Sequence, residues 1–205
     1  MKEKPATVFV IDDDEAVRTS LRLLLKSVGL PVETYGSAQE FLDGFDGDRA
    51  GCLVLDIRMP GMSGLDLQQK LNTVHSITPI VFITGHGDVP MAVEAMQAGA
   101  VDFIQKPFRD QDLIDRINRA LDTDRANRAE LRERDEIRRR MGQLTPRERE
   151  VLDLVTQGKA NKVIAGDLNV SQRTIEIHRA RVMEKMGATS LAHLVRMVIE
   201  AERAD

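Results

Sequence analysis

The chain has 205 residues, a formal net charge of −4, no Trp, a single Tyr and a single Cys. That length suits one large domain or two small ones, and Cys52 alone excludes an internal disulfide and reads as core packing. No run is long and apolar enough to span a membrane, and Met1–Pro5 lacks the apolar stretch of a secretory signal, so a cytoplasmic location is expected.

Residues 7–121 read as five strand–helix units. Strands are expected near 7–11, 32–35, 51–55, 80–83 and 101–104, all but the second marked by a short apolar run. Between them, Val17, Leu21, Leu24, Leu25 and Val28 have the spacing of a buried helical face, closed by Gly29. Met91–Ala98 is a further helix ending on Gly99, and Leu113, Ile114, Ile117 and Leu121 mark another. Strands alternating with helices imply an α/β domain with a doubly wound parallel sheet.

From Asp122 to Met141 the character changes to dense mixed charge, in which Leu131, Ile137 and Met141 look too sparse for a core face. Opposite charges four residues apart support an exposed helical linker over 122–141, with a disordered tether as the alternative. Beyond it, Thr145-Pro146-Arg147-Glu148 places a helix N-cap, Pro at the first helical position and Glu at the third. Residues 160–168 and 171–186 form two more helices across the tight turn Asn169-Val170. A last helix after Ser190 carries Leu191, Leu194, Val195 and Val198. The expected domains are therefore 1–121, a linker over 122–141, and an all-α four-helix domain over 142–205.

Charge is unevenly divided. Residues 1–121 hold 12 basic and 18 acidic side chains, while 142–205 hold 10 and 9. The first domain is acidic, and the last is too nearly neutral for composition alone to indicate a polyanion partner.

Parallel strands put their carboxyl ends on one edge of a sheet. Asp12 and Asp13 follow the first strand, Asp56 the third, Thr84 the fourth and Lys106-Pro107 the fifth. A carboxylate can take a phosphoryl group if charge is neutralised and the approach is in line. Three carboxylates here are balanced by one ammonium and one divalent cation. Mg2+ suits them, because it binds a few carboxylate oxygens together with waters and phosphate oxygens. Asp56 is the expected phosphoacceptor, and Lys106 the expected partner of the acyl phosphate. Thr84 is expected to turn its hydroxyl toward a phosphoryl oxygen beside the open approach at Gly85. His86 is read as a solvated loop histidine.

Residues 7–121 resemble the receiver domains of two-component response regulators, sharing Asp12-Asp13, Asp56, Thr84, the aromatic Phe103 and Lys106-Pro107. The resemblance implies a flavodoxin-like five-stranded sheet, a partner histidine kinase as phosphoryl donor, and a Lys106–Pro107 peptide that is commonly cis. It also implies metal binding by the side chains of Asp13 and Asp56 and the backbone carbonyl of Arg58, with Asp12 acting mainly through water. The switch it implies moves Thr84 toward the phosphate and lets Phe103 rotate inward. That motion reshapes the face of the helix at 89–98, where Val89, Met91, Ala92 and Met96 are candidates for a dimer surface.

The two helices at 160–168 and 171–186 have helix-turn-helix spacing, so the second is expected in the major groove of DNA. Leu144–Leu152, Asn161–Ala165 and Val170-Ser171 followed by Thr174-Ile175 and Ile177-His178 resemble LuxR-type domains over roughly 142–202. By position, Glu176, Ile177, Arg179 and Ala180 face the groove floor. Arg173, Thr174, Arg181, Lys185 and Lys162 meet phosphates, while Val163, Ile164, Leu168, Ile175 and Val182 pack internally and His178 packs or bonds backbone. Glu176 and Ala180 stand where many relatives carry lysine, so base preference and salt dependence are expected to differ.

The stretch Ile83–Ile104 most resembles the FixJ branch. The whole then reads as a transcription regulator, not an enzyme apart from possible slow autodephosphorylation. It is expected to be phosphorylated at Asp56 by a histidine kinase, to form a homodimer on double-stranded DNA, and to work with RNA polymerase. Three alternatives stay open: a constitutive dimer through the last helix, a phosphate-ester hydrolase, and a phosphate sink whose second domain binds protein.

Overall fold

A computed structural model describes residues 5–45, 47, 49–85 and 89–202. The chain divides into two compact units, Met1–Arg128 and Ala129–Asp205.

In the first unit the strands β1 (Thr7–Ile11), β2 (Val32–Tyr35), β3 (Gly51–Asp56), β4 (Ile80–Thr84) and β5 (Asp102–Gln105) form one parallel sheet in the order β2-β1-β3-β4-β5. Alternation along each strand sends side chains to two separate cores. Val8, Val10, Cys52, Val54, Val81 and Ile83 meet Leu21 and Leu25 of α1 (Glu15–Ser27) and Leu113 and Ile117 of α5 (Asp110–Gly142). Phe9, Ile11, Leu53, Leu55, Ile80 and Phe82 face the other way. They pack with Phe41 of α2 (Ala38–Gly44), Leu67 and Leu71 of α3 (Gly64–Thr73) and Ala95 of α4 (Val89–Gln97). Strands covered on both faces read as continuous apolar runs, which is why they were legible without alternation. Cys52 is wholly enclosed, and burial, with the nearby Asp124 charge, pushes its thiol up to about 12.

Helix starts follow local chemistry. Asp14 accepts from the Ala16 amide at the head of α1, and Ser63 and Asp66 form a reciprocal capping box on α3. Gly51 is required where β3 begins: its φ is +154°, and a Cβ there would lie 1.9 Å from the Thr7 carbonyl oxygen.

The second unit contains α6 (Pro146–Thr156), α7 (Asn161–Asp167), α8 (Gln172–Met186) and α9 (Leu191–Glu202). Thr145 and Glu148 form the expected capping box, and Gly187 closes α8 at a left-handed φ of 68°. Its core joins Val151, Leu152, Ile164, Ile175, Val182, Met186, Leu194 and Val198.

The segment 122–141 is helical throughout as part of α5, but it differs from a bare exposed linker. Ile137 and Met141 are buried in the core of the second unit, contrary to the expectation that they are too sparse to form a core face. Two apolar residues one turn apart suffice when α6, α8 and α9 supply the remaining wall. At the other end, Asp124 is 2 % exposed and accepts from the Gly51 amide at 3.0 Å and from Arg128 Nε at 2.9 Å. Arg128 also donates to the Arg49 carbonyl, and Asn127 to the Ile77 carbonyl. Val163 is 50 % exposed, contrary to its expected internal place, because α7 turns Ile164 and Ala165 inward instead.

Candidate functional site

The register of β1, β3 and β4 sets their carboxyl ends level: Ile11 pairs with Leu55, and Asp56 with Ile83. One oxygen each from Asp12, Asp13 and Asp56 therefore lies within 4.8 Å of the others. The site sits where the chain reverses its strand order between β1 and β3, the usual place for ligands in such sheets. Asp12 is buried, Asp56 half-buried and Asp13 exposed, so the cluster opens to solvent on one side.

Lys106 crosses from the end of β5 to close the cluster. Its Nζ donates to Asp12 Oδ2 at 2.9 Å and Asp56 Oδ2 at 3.1 Å, and the Lys106–Pro107 peptide is cis. Burial lifts the Asp56 carboxyl above its ordinary value, with Lys106 pulling it down and Asp12 adding to the rise. Burial disfavours the Lys106 ammonium, but the Asp12 and Asp56 carboxylates outweigh it and hold its pKa above the ordinary lysine value. The three hard carboxylate donors match the preference of Mg2+, and the local excess of negative charge favours a cation.

Around this centre, Arg58 donates its amide to Asp56 Oδ1 at 3.3 Å. Thr84 is buried, its hydroxyl donating to the Ile104 carbonyl at 3.4 Å. Phe103 is half-buried against the core that holds Phe82 and Ala95. Its amide donates to Asp102 Oδ1, and its carbonyl accepts from Arg116 Nε. His86 and the side chain of Val89 lie outside the described residues. On α4, Met91 is half-buried and Met96 is 38 % exposed. Ala92 is 1 % exposed and belongs to the interior, a correction to its expected place on a dimer surface. Ala92 and Ala95 form the inward face of this short helix, which leaves Val93 and Met96 outward.

Two contributors were not anticipated. Gly64 packs so tightly beneath the site that a Cβ would lie 2.3 Å from the Asp56 carbonyl oxygen. Arg18 Nη1 donates to the Asp12 carbonyl at 2.7 Å and braces the loop that carries the acid pair. The clue to Gly64 was its place at the head of a capped helix, and Arg18 gave no signal that separated it from a surface arginine.

In the second unit, α8 exposes Arg173, Glu176, Ile177, Ala180 and Arg181, whereas Thr174 and His178 are half-buried. Thr174 bonds Ser171 within the N-terminal cap, and His178 Nδ1 is buried without a hydrogen-bond partner among the described residues. Lys162 on α7 is exposed. Two of the expected cationic DNA contacts also hold partners. Arg179 Nη1 donates to Asn161 Oδ1 at 2.7 Å, tying α8 to α7. Lys185 Nζ donates to Glu148 Oε2 at 2.6 Å and to the Gln143 carbonyl at 3.2 Å.

A rim of three carboxylates and a lysine in one unit and a helix-turn-helix in the other fit a two-domain signalling regulator. Residues 8–118 match the family model of the response regulator receiver domain, and 142–198 that of bacterial regulatory proteins of the luxR family. The chain belongs to the two-component response regulators with a LuxR-type DNA-binding domain, and within them to the FixJ branch. It is 50 % identical over 193 residues to the transcriptional regulatory protein FixJ of Rhizobium meliloti, covering 94 % of this chain and 95 % of that one. Nodulation protein W of Bradyrhizobium diazoefficiens is 48 % identical over 192 residues, covering 94 % of this chain and 85 % of its own. Among solved structures, the response regulator StyR superposes with a TM-score of 0.85 at 46 % identity, covering 96 % of this chain and 100 % of its own. Among the described residues, no helix is long and apolar enough to cross a membrane.

Proposed function

We propose that Asp56 accepts a phosphoryl group from a phosphohistidine of a partner kinase, and that the modified chain pairs with a second copy on a double-stranded DNA operator. The observation that carries this reading is the Lys106 ammonium held between Asp12 and Asp56. The transfer breaks a P–N bond and forms a P–O bond to an Asp56 oxygen, with Lys106 following the charge onto the phosphoryl oxygens. Asp13 and Asp56 side chains and the Arg58 carbonyl would hold Mg2+, with Asp12 as the third carboxylate of the cluster. When bound, the ion offsets the charge of the acids against the arriving phosphoryl group.

Thr84 then exchanges its bond to the Ile104 carbonyl for one to a phosphoryl oxygen, and the half-buried Phe103 turns further inward. This biases the outer surface of α4, with Met91 and Met96 at the pairing face. At DNA, Arg173, Arg181 and Lys162 meet phosphates near Thr174, and Glu176, Ile177 and Ala180 face the groove floor. The bound regulator acts in the cytoplasm by engaging RNA polymerase. Any loss of the phosphoryl group without a partner is slow autodephosphorylation at the same rim.

Light-scattering mass with and without acetyl phosphate and Mg2+, with Asp56→Asn as control, tests the pairing. A monomer that becomes a dimer only in the wild type is the expected result. Phosphoryl incorporation with no change of mass overturns phosphorylation-driven dimerisation. One observation favours a second reading, a dimer formed before phosphorylation through α9. Leu191 and Ile199 there are 42 % and 56 % exposed, and Ile199 shares an open cleft with Ala192, Val195, Arg196 and Glu200. The same experiment separates the two, because that dimer is present without acetyl phosphate.

A further inference from the structure

We infer that the exposed face of α8 selects a C·G base pair through the Glu176 carboxylate, with thymine methyl groups packed against Ile177 and Ala180. This rests on the DNA-reading role proposed above and names what that site reads.

The inward face of α8 is spent on the core through Ile175, Val182 and Met186. Its outward face carries Arg173, Glu176, Ile177, Ala180 and Arg181, all exposed. Positions three and four apart on a helix are surface neighbours, so Glu176 lies beside both Arg173 and Ala180, and Ile177 beside Arg181. The centre of this face is thus one carboxylate and two apolar side chains, with cations only at its margins.

The cations divide into two groups. Arg179 is held by Asn161, and Lys185 by Glu148 and the Gln143 carbonyl, so both act as internal braces. Lys162, Arg173 and Arg181 make no hydrogen bond or ion pair among the described residues and are available to phosphates. Glu176 likewise has no partner there, so its acceptors face outward unspent.

An unpaired carboxylate brought into a groove lined by phosphates weakens binding unless a donor meets it. Only two base edges in the major groove offer donors, the N4 amino group of cytosine and the N6 amino group of adenine. Adenine places the N7 acceptor beside its amino group, which repels a carboxylate, whereas the neighbour of cytosine N4 on the same base is a C–H. The chemistry therefore favours cytosine. Beside it, the C5-methyl of thymine is the apolar feature of the groove wall, and Ile177, 47 % exposed, is the side chain that gains by covering it.

The test is selection from a random duplex library by the full-length protein treated with acetyl phosphate and Mg2+, comparing wild type, Glu176→Gln and Ile177→Ala. Glu176 and Ile177 are exposed, so these variants keep the fold. Gln can pair with both N6 and N7 of adenine, so E176Q is expected to replace one C·G pair of the selected sequence by A·T. Its affinity for the wild-type sequence falls roughly ten-fold and returns when that pair alone is exchanged. Uracil in place of the adjacent thymine removes the methyl group and weakens the wild type but not I177A. Identical sequences selected by wild type and E176Q overturn the inference while leaving DNA reading intact. Failure of the wild type to enrich any sequence overturns the DNA-reading role itself.

Discussion

Lys106 is the residue on which the acidic rim depends, because its one ammonium is paired with both Asp12 and Asp56. Lys106→Met should leave the fold standing and lower the rate of phosphorylation by acetyl phosphate roughly 100-fold, measured by the accumulation of phosphorylated protein. Gly64 is a different case. A methyl group there meets the Asp56 carbonyl, so Gly64→Ala should shift the end of β3 and destabilise the chain by about 2 kcal/mol in urea unfolding. Asp12, Asp13, Asp56, Thr84 and Lys106 were legible in the sequence because each directly follows an apolar strand, and parallel strands end on one edge. Gly64 was not, since its constraint is a clash with backbone that only the folded chain brings near. Ala92 was misplaced for a related reason: a helix of nine residues, rich in small and apolar side chains, does not reveal by spacing alone which face turns inward.

At the level of elements, the capping signal Thr145-Pro146-Arg147-Glu148 located the start of α6. The same Glu148 that closes the capping box is 2 % exposed and receives Lys185 from α8. The hydrogen bond from Lys185, with the bond from the Thr145 amide, holds its carboxyl down to about 2. A depressed carboxyl stabilises the fold above its unfolded value of 4.5 and loses that contribution as pH falls toward 2. The melting temperature of wild type should therefore exceed that of Glu148→Gln at neutral pH, and the gap should close on acidification below about pH 4.5. The segment 122–141 was less readable. Its charges dominate the composition, and the partners that bury Asp124, Ile137 and Met141 include residues of other elements, Gly51 of β3 and the core of α6, α8 and α9. Asp124→Ala removes the side-chain acceptor of the Gly51 amide and the carboxylate paired with Arg128, and should cost about 3 kcal/mol.

On the scale of the whole molecule, one helix contributes to two separate cores. Leu113 and Ile117 of α5 belong to the sheet, while Ile137 and Met141 belong to the second unit. Separate cores imply separate cooperative transitions. Calorimetry should show Asp124→Ala lowering one transition and Ile137→Ala the other, the latter by about 3 kcal/mol of cavity cost. A single transition shifted equally by both would show that the units melt together. Cys52 offers a way to watch one of them without altering the protein. It is the chain's one thiol, it lies on β3 in the same strand as Asp56, and its environment keeps it protonated and shielded from reagents. Each covalent capture of that sulfur by a thiol reagent therefore counts one opening of the sheet, so the natural sequence carries its own clock. Ions or phosphoryl groups that favour the closed rim should slow that clock, and its rate reports their grip on the fold.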